Sequence, residues 1–318
     1  MLVSELKNVI KNYDKLELNS IIVELYKRIP KYKKEEYDID EFIKNINKQN
    51  KIAKKEEPLS FEALAKEINY FISCVDNNLY SSPNKIIPKK DRSNWRFKVK
   101  KYYKELINIP ESSEDYEMAT HFLINIFKRL SIGSSYLLFS NWNTFKAVSI
   151  QQSDYYYVLV KRILRNYSID NLKECVDLLE IIRDSNELSY DMFEVFLLNL
   201  DTYDKKSSAL ELINEKVIEL KEKLNKKYDY YIEQNYNDFV LCMAEIYFNM
   251  LQIDKGIKYF QKNYIEELKE IKEYVLLNKL EENELFDEWI KEYEKNMNKI
   301  KYRESLNEKY QKLKCKQI

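Results

Sequence analysis

Glycine is nearly missing from this chain. Gly133 and Gly256 are the only two among 318 residues, where average usage of ~7% would supply roughly 22. Sheets, tight hairpins and phosphate loops consume glycine where positive φ or close backbone approach is needed. The distance between these two also excludes both G-x-x-x-x-G-K-[ST] and G-x-G-x-x-G. Proline is absent after Pro110, so nothing later in the chain must break a helix. The one histidine, His121, leaves no H-E-x-x-H site and no multi-histidine metal cage. With Met118 three residues before it, it forms no Glu-x-x-His of the di-iron bundles either. It reads as structural, since nothing near it in sequence orients it. Cys74, Cys175, Cys242 and Cys315 are scattered singly and read as reduced thiols of a cytoplasmic protein. No apolar run approaches the ~20 residues of a membrane helix, and Met1 to Lys7 lack the basic start and apolar run of a signal peptide. Net charge is missing too. The 53 basic and 53 acidic residues cancel, so no global field draws the chain to nucleic acid or an anionic membrane, and charge that matters must be local. No catalytic residue, cofactor or metal ligand is nominated. Chemistry using carboxylates and lysines alone stays open.

What is present is helical periodicity. Ser60 is placed to cap a helix carrying Phe61, Leu64, Ile68, Phe71 and Ile72. Ser93 opens another, with Trp95, Val99, Tyr102 and Leu106 on one face, ending at Pro110. Ser112-x-x-Asp115 and Ser149-x-x-Gln152 read as starts of the next two, the first of which ends at Gly133. Asp170 and Ser189 begin two more, with Leu172, Val176, Leu179 and Ile182 on one and Phe193, Phe196 and Leu197 on the other. Leu210, Ile213, Val217, Leu220 and Leu224 mark a longer helix, Phe286, Trp289 and Tyr293 an acidic amphipathic one, and Leu306, Tyr310 and Leu313 a basic tail. The expectation is an all-α protein of about 12 to 15 helices, stacked as antiparallel pairs into a solenoid-like body. Three regions are expected: short helices over 1–50, with Asp38 or Asp40 capping the third; a central helical domain over 59–168; and a C-terminal helical-repeat domain over 169–318. A polar linker runs from Gln49 to Pro58.

Two features bear on function. From Lys85 to Lys104 nine basic residues face a single acid, Asp91. Lys89, Lys90, Arg92, Arg96, Lys100 and Lys104 are the candidate contacts for phosphate or an acidic partner. Two fates are open to this helix: neutralisation by Glu111, Glu114, Asp115 and Glu117, which begin the next helix, or exposure as a binding face. Trp95 lies on the core stripe and reads as packing. Aromatic residues are dense just downstream, and Tyr136, Trp142, Tyr155 and Tyr156 are the candidates for a partner groove. Of the consecutive Tyr155, Tyr156 and Tyr157, at least one must leave the core, because successive helical residues turn about 100°.

Residues 237–268 resemble a single tetratricopeptide (TPR) unit, through Ala244, Tyr247, Gly256 and Phe260. Val240 and Met243 stand where that family has Trp and Leu, and Asn263 where it has Ala. The resemblance implies a helix pair whose small residues permit close approach, within a solenoid whose concave face binds a peptide or protein. The leading expectation is accordingly a non-catalytic protein- or peptide-binding scaffold, adaptor or regulator. The alternative is a nucleic-acid-binding accessory protein acting through residues 89–104, and a third is a helical enzyme using carboxylates. No membrane partner is expected, and the aromatic faces allow homo-oligomers.

Overall fold

The computed structural model describes residues 6, 9–36, 39–41, 43, 60–181 and 190–316. Among them the protein is built of α-helices and one 3-10 helix, without a strand. The Gln49–Pro58 linker, the capping positions Asp38 and Ser189, and Ile182 lie outside the described residues. No described helix is long and apolar enough to cross a membrane.

The chain divides into two compact units, Met1–Ala63 and Leu64–Ile318. The first contains α1 (Lys15–Arg28) and α2 (Lys31–Glu36). Asp14 opens α1 with a capping box: its carboxylate accepts from the backbone of Leu16 and Glu17, and Glu17 accepts from the Asp14 N–H. The second unit takes in nearly all of α3 (Phe61–Asp76), followed by α4 (Trp95–Ile107), α5 (Tyr116–Gly133), α6 (Thr144–Val148), α7 (Gln152–Ile163) and α8 (Ile169–Leu179). Then come α9 (Asp191–Leu198), α10 (Tyr203–Lys226), α11 (Tyr230–Asn249), α12 (Ile253–Asn263), α13 (Lys269–Glu282), α14 (Phe286–Asn296) and α15 (Glu304–Lys316).

Many neighbours in sequence pack side by side in this unit, among them α4 and α5, α10 and α11, α11 and α12, and α13 and α14. Next-but-one neighbours also meet: α7 packs on α9, α8 on α10 and α9 on α11. The boundary expected at 168/169 falls between α7 and α8, which pack directly on each other inside one unit.

Helix starts show where local sequence rules compete. Ser60 caps α3 as its spacing predicts, accepting from Ala63 N–H at 3.3 Å. Ser112 does not cap α5; the chain makes turns first, and the helix begins at Tyr116 with Asp115 before it. Ser149 is left-handed at φ 56° and closes α6 instead of opening α7. Ser168, not Asp170, caps α8, accepting from Asn171 N–H. Ser93 lies in a 3-10 turn, Lys89–Asn94, that leads into α4.

Both glycines sit where helices touch, and neither has positive φ. A Cβ on Gly133 would come within 2.7 Å of the Phe139 ring and 3.0 Å of Thr144 Cγ2. On Gly256, in α12, it would lie 2.6 Å from the Phe248 ring and 2.8 Å from the Ala244 carbonyl oxygen, both in α11. An exposed helical glycine changed to alanine normally gains up to about 1 kcal/mol. Gly256→Ala is expected to do the reverse and lose about 1–3 kcal/mol, because the nearest atoms include backbone that cannot rotate away. Urea unfolding of the two chains measures the sign directly.

The C-terminal helices bury two charge clusters. In one, Lys279 of α13 sits 4.0 Å above the Tyr190 ring, 2.7 Å from Glu282 and 3.4 Å from the buried Glu245 of α11. Glu245 also accepts a hydrogen bond from the Tyr190 hydroxyl. Burial pushes the Glu245 carboxyl up, opposed by Lys279 and by that hydroxyl. Burial pulls the other way on Lys279, yet the carboxylates of Glu245 and Glu282 hold its ammonium above its ordinary value.

In the second cluster, Glu273 of α13 is 6% exposed, and its Oε1 finds no hydrogen-bond partner among the described residues. Burial pushes this carboxyl up to about 7, with Glu292 adding to the rise while Asn296 and Lys295 oppose it. Below the unfolded value of 4.5 both states carry the proton and the site costs nothing. As pH rises toward about 7, the unfolded chain ionises first and stability falls. Glu273→Gln is therefore expected to leave stability unchanged in acid. Above neutrality it should raise stability by up to about 3 kcal/mol, the equivalent of that shift, and denaturant melts across the range give the profile.

Candidate anion-binding face

α4 owes its orientation to one apolar stripe. Trp95, Val99, Tyr102 and Leu106 recur at helical spacing and are all buried, as their pattern predicts. The Trp95 ring stacks on Phe139 at 4.3 Å, and its indole N–H donates to Ser140 Oγ at 3.3 Å. Tyr102 donates its hydroxyl to Glu67 of α3. With this stripe inward, Arg96, Lys100 and Lys104 are carried outward in a row one helical turn apart.

The acidic start of α5 does not neutralise that row. Glu111 turns instead to Arg165, which pairs with its carboxylate at 3.3 Å and donates to its backbone oxygen at 2.6 Å. Among the described residues Lys101 alone of the basic segment is ion-paired, with Glu67 at 3.3 Å. Lys89, Lys90, Arg96 and Lys104 are exposed, with no carboxylate partner among the described residues. Arg92 is half-buried and donates to the Ile87 carbonyl at 3.3 Å, and Lys100 donates to Ser149 Oγ at 3.0 Å. Both of these partners are neutral, so the positive charge of each stands.

Aromatic rings are exposed beside this charge. Phe97 is 56% exposed and sits on the outward side of α4, with the Arg96 guanidinium 4.8 Å from its ring centre. The segment between α5 and α6 is pinned to the first turn of α4 by Phe139 and Ser140. That segment carries Trp142 and Tyr136, 54% and 61% exposed. α6 packs on α4 and adds the exposed Lys146.

Two of the four aromatic residues expected in a partner groove are elsewhere. Tyr155 and Tyr156 lie wholly in the core, their hydroxyls donating to the carbonyls of Leu123 and Cys175. α7 is covered on two sides, by α5 and by α8 and α9, so two consecutive tyrosines both find an interior. Tyr157 is the one that leaves the core. His121 is exposed on α5, and its carbonyl accepts from the Asn125 side chain.

Phe97 and Lys146 were not among the residues singled out from the sequence. Phe97 had a legible signal, since it falls opposite the Trp95 stripe in helical projection. Lys146 had none, because its place beside α4 depends on how α6 packs. Among the described residues no group of three His, Cys, Asp or Glu could hold a metal ion. Compared with known proteins, the chain matches no family model, no curated protein and no solved structure.

Proposed function

We propose that this chain is a non-catalytic binding protein whose α4 face takes the phosphate backbone of single-stranded nucleic acid. The observation that carries this reading is the unpaired row Arg96, Lys100 and Lys104 with Phe97 exposed beside it. Cations without carboxylate partners release counterions when they meet phosphates. Exposed rings next to such a groove offer bases a stacking surface, the combination that single-strand binders use. An acidic protein surface would answer the charge but would leave Phe97, Trp142 and Tyr136 without a comparable role.

The reading is tested by fluorescence anisotropy of a labelled single-stranded oligonucleotide, titrated with the full chain at several salt concentrations. Micromolar binding that weakens steeply with salt is expected. Absence of salt-sensitive binding, equal binding by an Arg96→Glu/Lys100→Glu chain, or stronger competition by polyglutamate than by unlabelled oligonucleotide would each overturn it.

A scaffold for a protein or peptide is the second reading. It is favoured by the close approach of α11 and α12 at Ala244 and Gly256, which is the role the TPR resemblance gives to small residues at those positions. Retention of one defined protein partner by a chain that binds no oligonucleotide would select it.

A further inference from the structure

A second concentration of unpaired positive charge lies far along the sequence from α4. α10 and α12 both pack along α11, and between them opens a cleft of about 520 Å³. Four lysines line it. Lys255, Lys258 and Lys262 follow one another on a single face of α12, and Lys221 faces them from α10. None of the four is ion-paired among the described residues, and no carboxylate lines the cleft. The Lys255 ammonium lies 4.4 Å over the Tyr247 ring and 3.5 Å from Gln252 Oε1, and that of Lys221 stands 6.0 Å from the Tyr236 ring. These contacts leave the charge uncompensated. Lys216, on the same helix as Lys221, instead reaches Asp177, Glu180 and Glu219. What sets the four apart is their convergence from two helices on one cleft without a carboxylate in its lining, and that calls for an anion.

The chemistry of the lining narrows the class of anion. Lysine meets phosphate as a compact point charge with rotatable donors, and four such charges line this cleft. Along α12 the three lysines extend over about 10 Å, seven residues at 1.5 Å each, which suits a chain of phosphates better than a single one. Val217, Ile218 and the half-buried Tyr259 supply an apolar wall, and Asn214 and Asn263 add neutral hydrogen-bonding groups beside it.

From this geometry we infer that the α10–α12 cleft binds a small molecule bearing several linked phosphates. The phosphates lie on Lys221, Lys255, Lys258 and Lys262, and the organic part rests against Val217, Ile218 and Tyr259. This site is independent of the α4 face and stands or falls separately from it.

Isothermal titration of the full chain with inorganic tripolyphosphate and with ATP tests the assignment, the first probing the phosphates alone and the second adding an organic part. Saturable one-to-one binding of both is expected, with ATP the tighter. Lys258→Gln/Lys262→Gln removes two exposed ammonium groups and leaves the packing untouched. At one charge-assisted hydrogen bond per lysine, binding should fall at least about tenfold for each. Should that chain fail to fold, judged by circular dichroism, Lys221→Gln on the opposite wall replaces it with the same expectation. The Arg96→Glu/Lys100→Glu chain should bind as the parent does.

No saturable binding of either probe at millimolar concentration, or binding unaffected by loss of the lysines, would overturn the inference. So would loss of binding in the α4 variant alone, or tighter binding of polyglutamate than of tripolyphosphate. Equal affinity for ATP and tripolyphosphate would overturn the role given to the apolar wall.

Discussion

Arg96→Glu/Lys100→Glu is expected to weaken binding of a single-stranded oligonucleotide by about two orders of magnitude. The size follows from counterion release. For single strands the logarithm of affinity falls with the logarithm of salt by about 0.7 per phosphate contact, so near 0.1 M each contact is worth roughly fivefold. Four contacts give a slope of about −3 and a loss of roughly 50-fold between about 50 and 200 mM salt. Removing two contacts costs roughly 25-fold and flattens the slope by about 1.4, and the introduced carboxylates add repulsion to that. Arg96 faces solvent, and Lys100 gives up only a bond to the Ser149 hydroxyl, so the fold should tolerate both changes. Lys291→Glu/Lys301→Glu alters net charge equally at exposed positions outside the face and should change affinity by less than the α4 pair. Phe97→Ala separates stacking from charge. It should lower affinity by about 1–3 kcal/mol while leaving the salt slope in place.

Lys279→Met should produce the largest loss of stability, about 3–5 kcal/mol near neutral pH. Methionine keeps most of the apolar stem but removes the ammonium 3.4 Å from Glu245, which is 6% exposed. Breaking a buried ion pair from one side leaves a desolvated charge without compensation, and that cost exceeds the net worth of the intact pair. Two measurements distinguish this cause from lost packing. Pairing Lys279→Met with Glu245→Gln should recover most of the loss, since the stranded charge is gone. In the single variant the deficit should shrink as pH falls. Burial already raises the Glu245 carboxyl, and protonating it removes the penalty. A deficit that is constant with pH and unrelieved by Glu245→Gln would show that Lys279 contributes only its stem.

How much of this was legible in the sequence differs between elements for physical reasons. The α4 stripe was, because four apolar residues at helical spacing leave one way to bury them, and all four are buried. Helix existence was legible from periodicity and from the scarcity of glycine and proline. Helix starts were less so: Ser112 and Ser149 carry the capping pattern, but Ser149 is drawn into the left-handed closing turn of α6. Gly133, expected to end α5 by its conformational freedom, is instead required by the Phe139 ring pressed against it. The Tyr155–Tyr156 pair misled because a one-sided helix cannot bury adjacent residues, whereas α7 is covered on two sides. The lysines of the α10–α12 cleft went unremarked because Lys221 and Lys255 are far apart in sequence and meet only across α11.

By itself, the sequence determined that this protein is made of helices, and for a helix such as α4 which face turns inward, since periodicity and the near-absence of glycine act locally. Only the tertiary structure decided which charges remain unpaired. Glu111 could have answered Arg96 or Arg165, and it went to Arg165. An ion pair forms between groups that packing brings within a few ångströms, and that proximity is settled by the whole set of buried contacts and not by nearness along the chain.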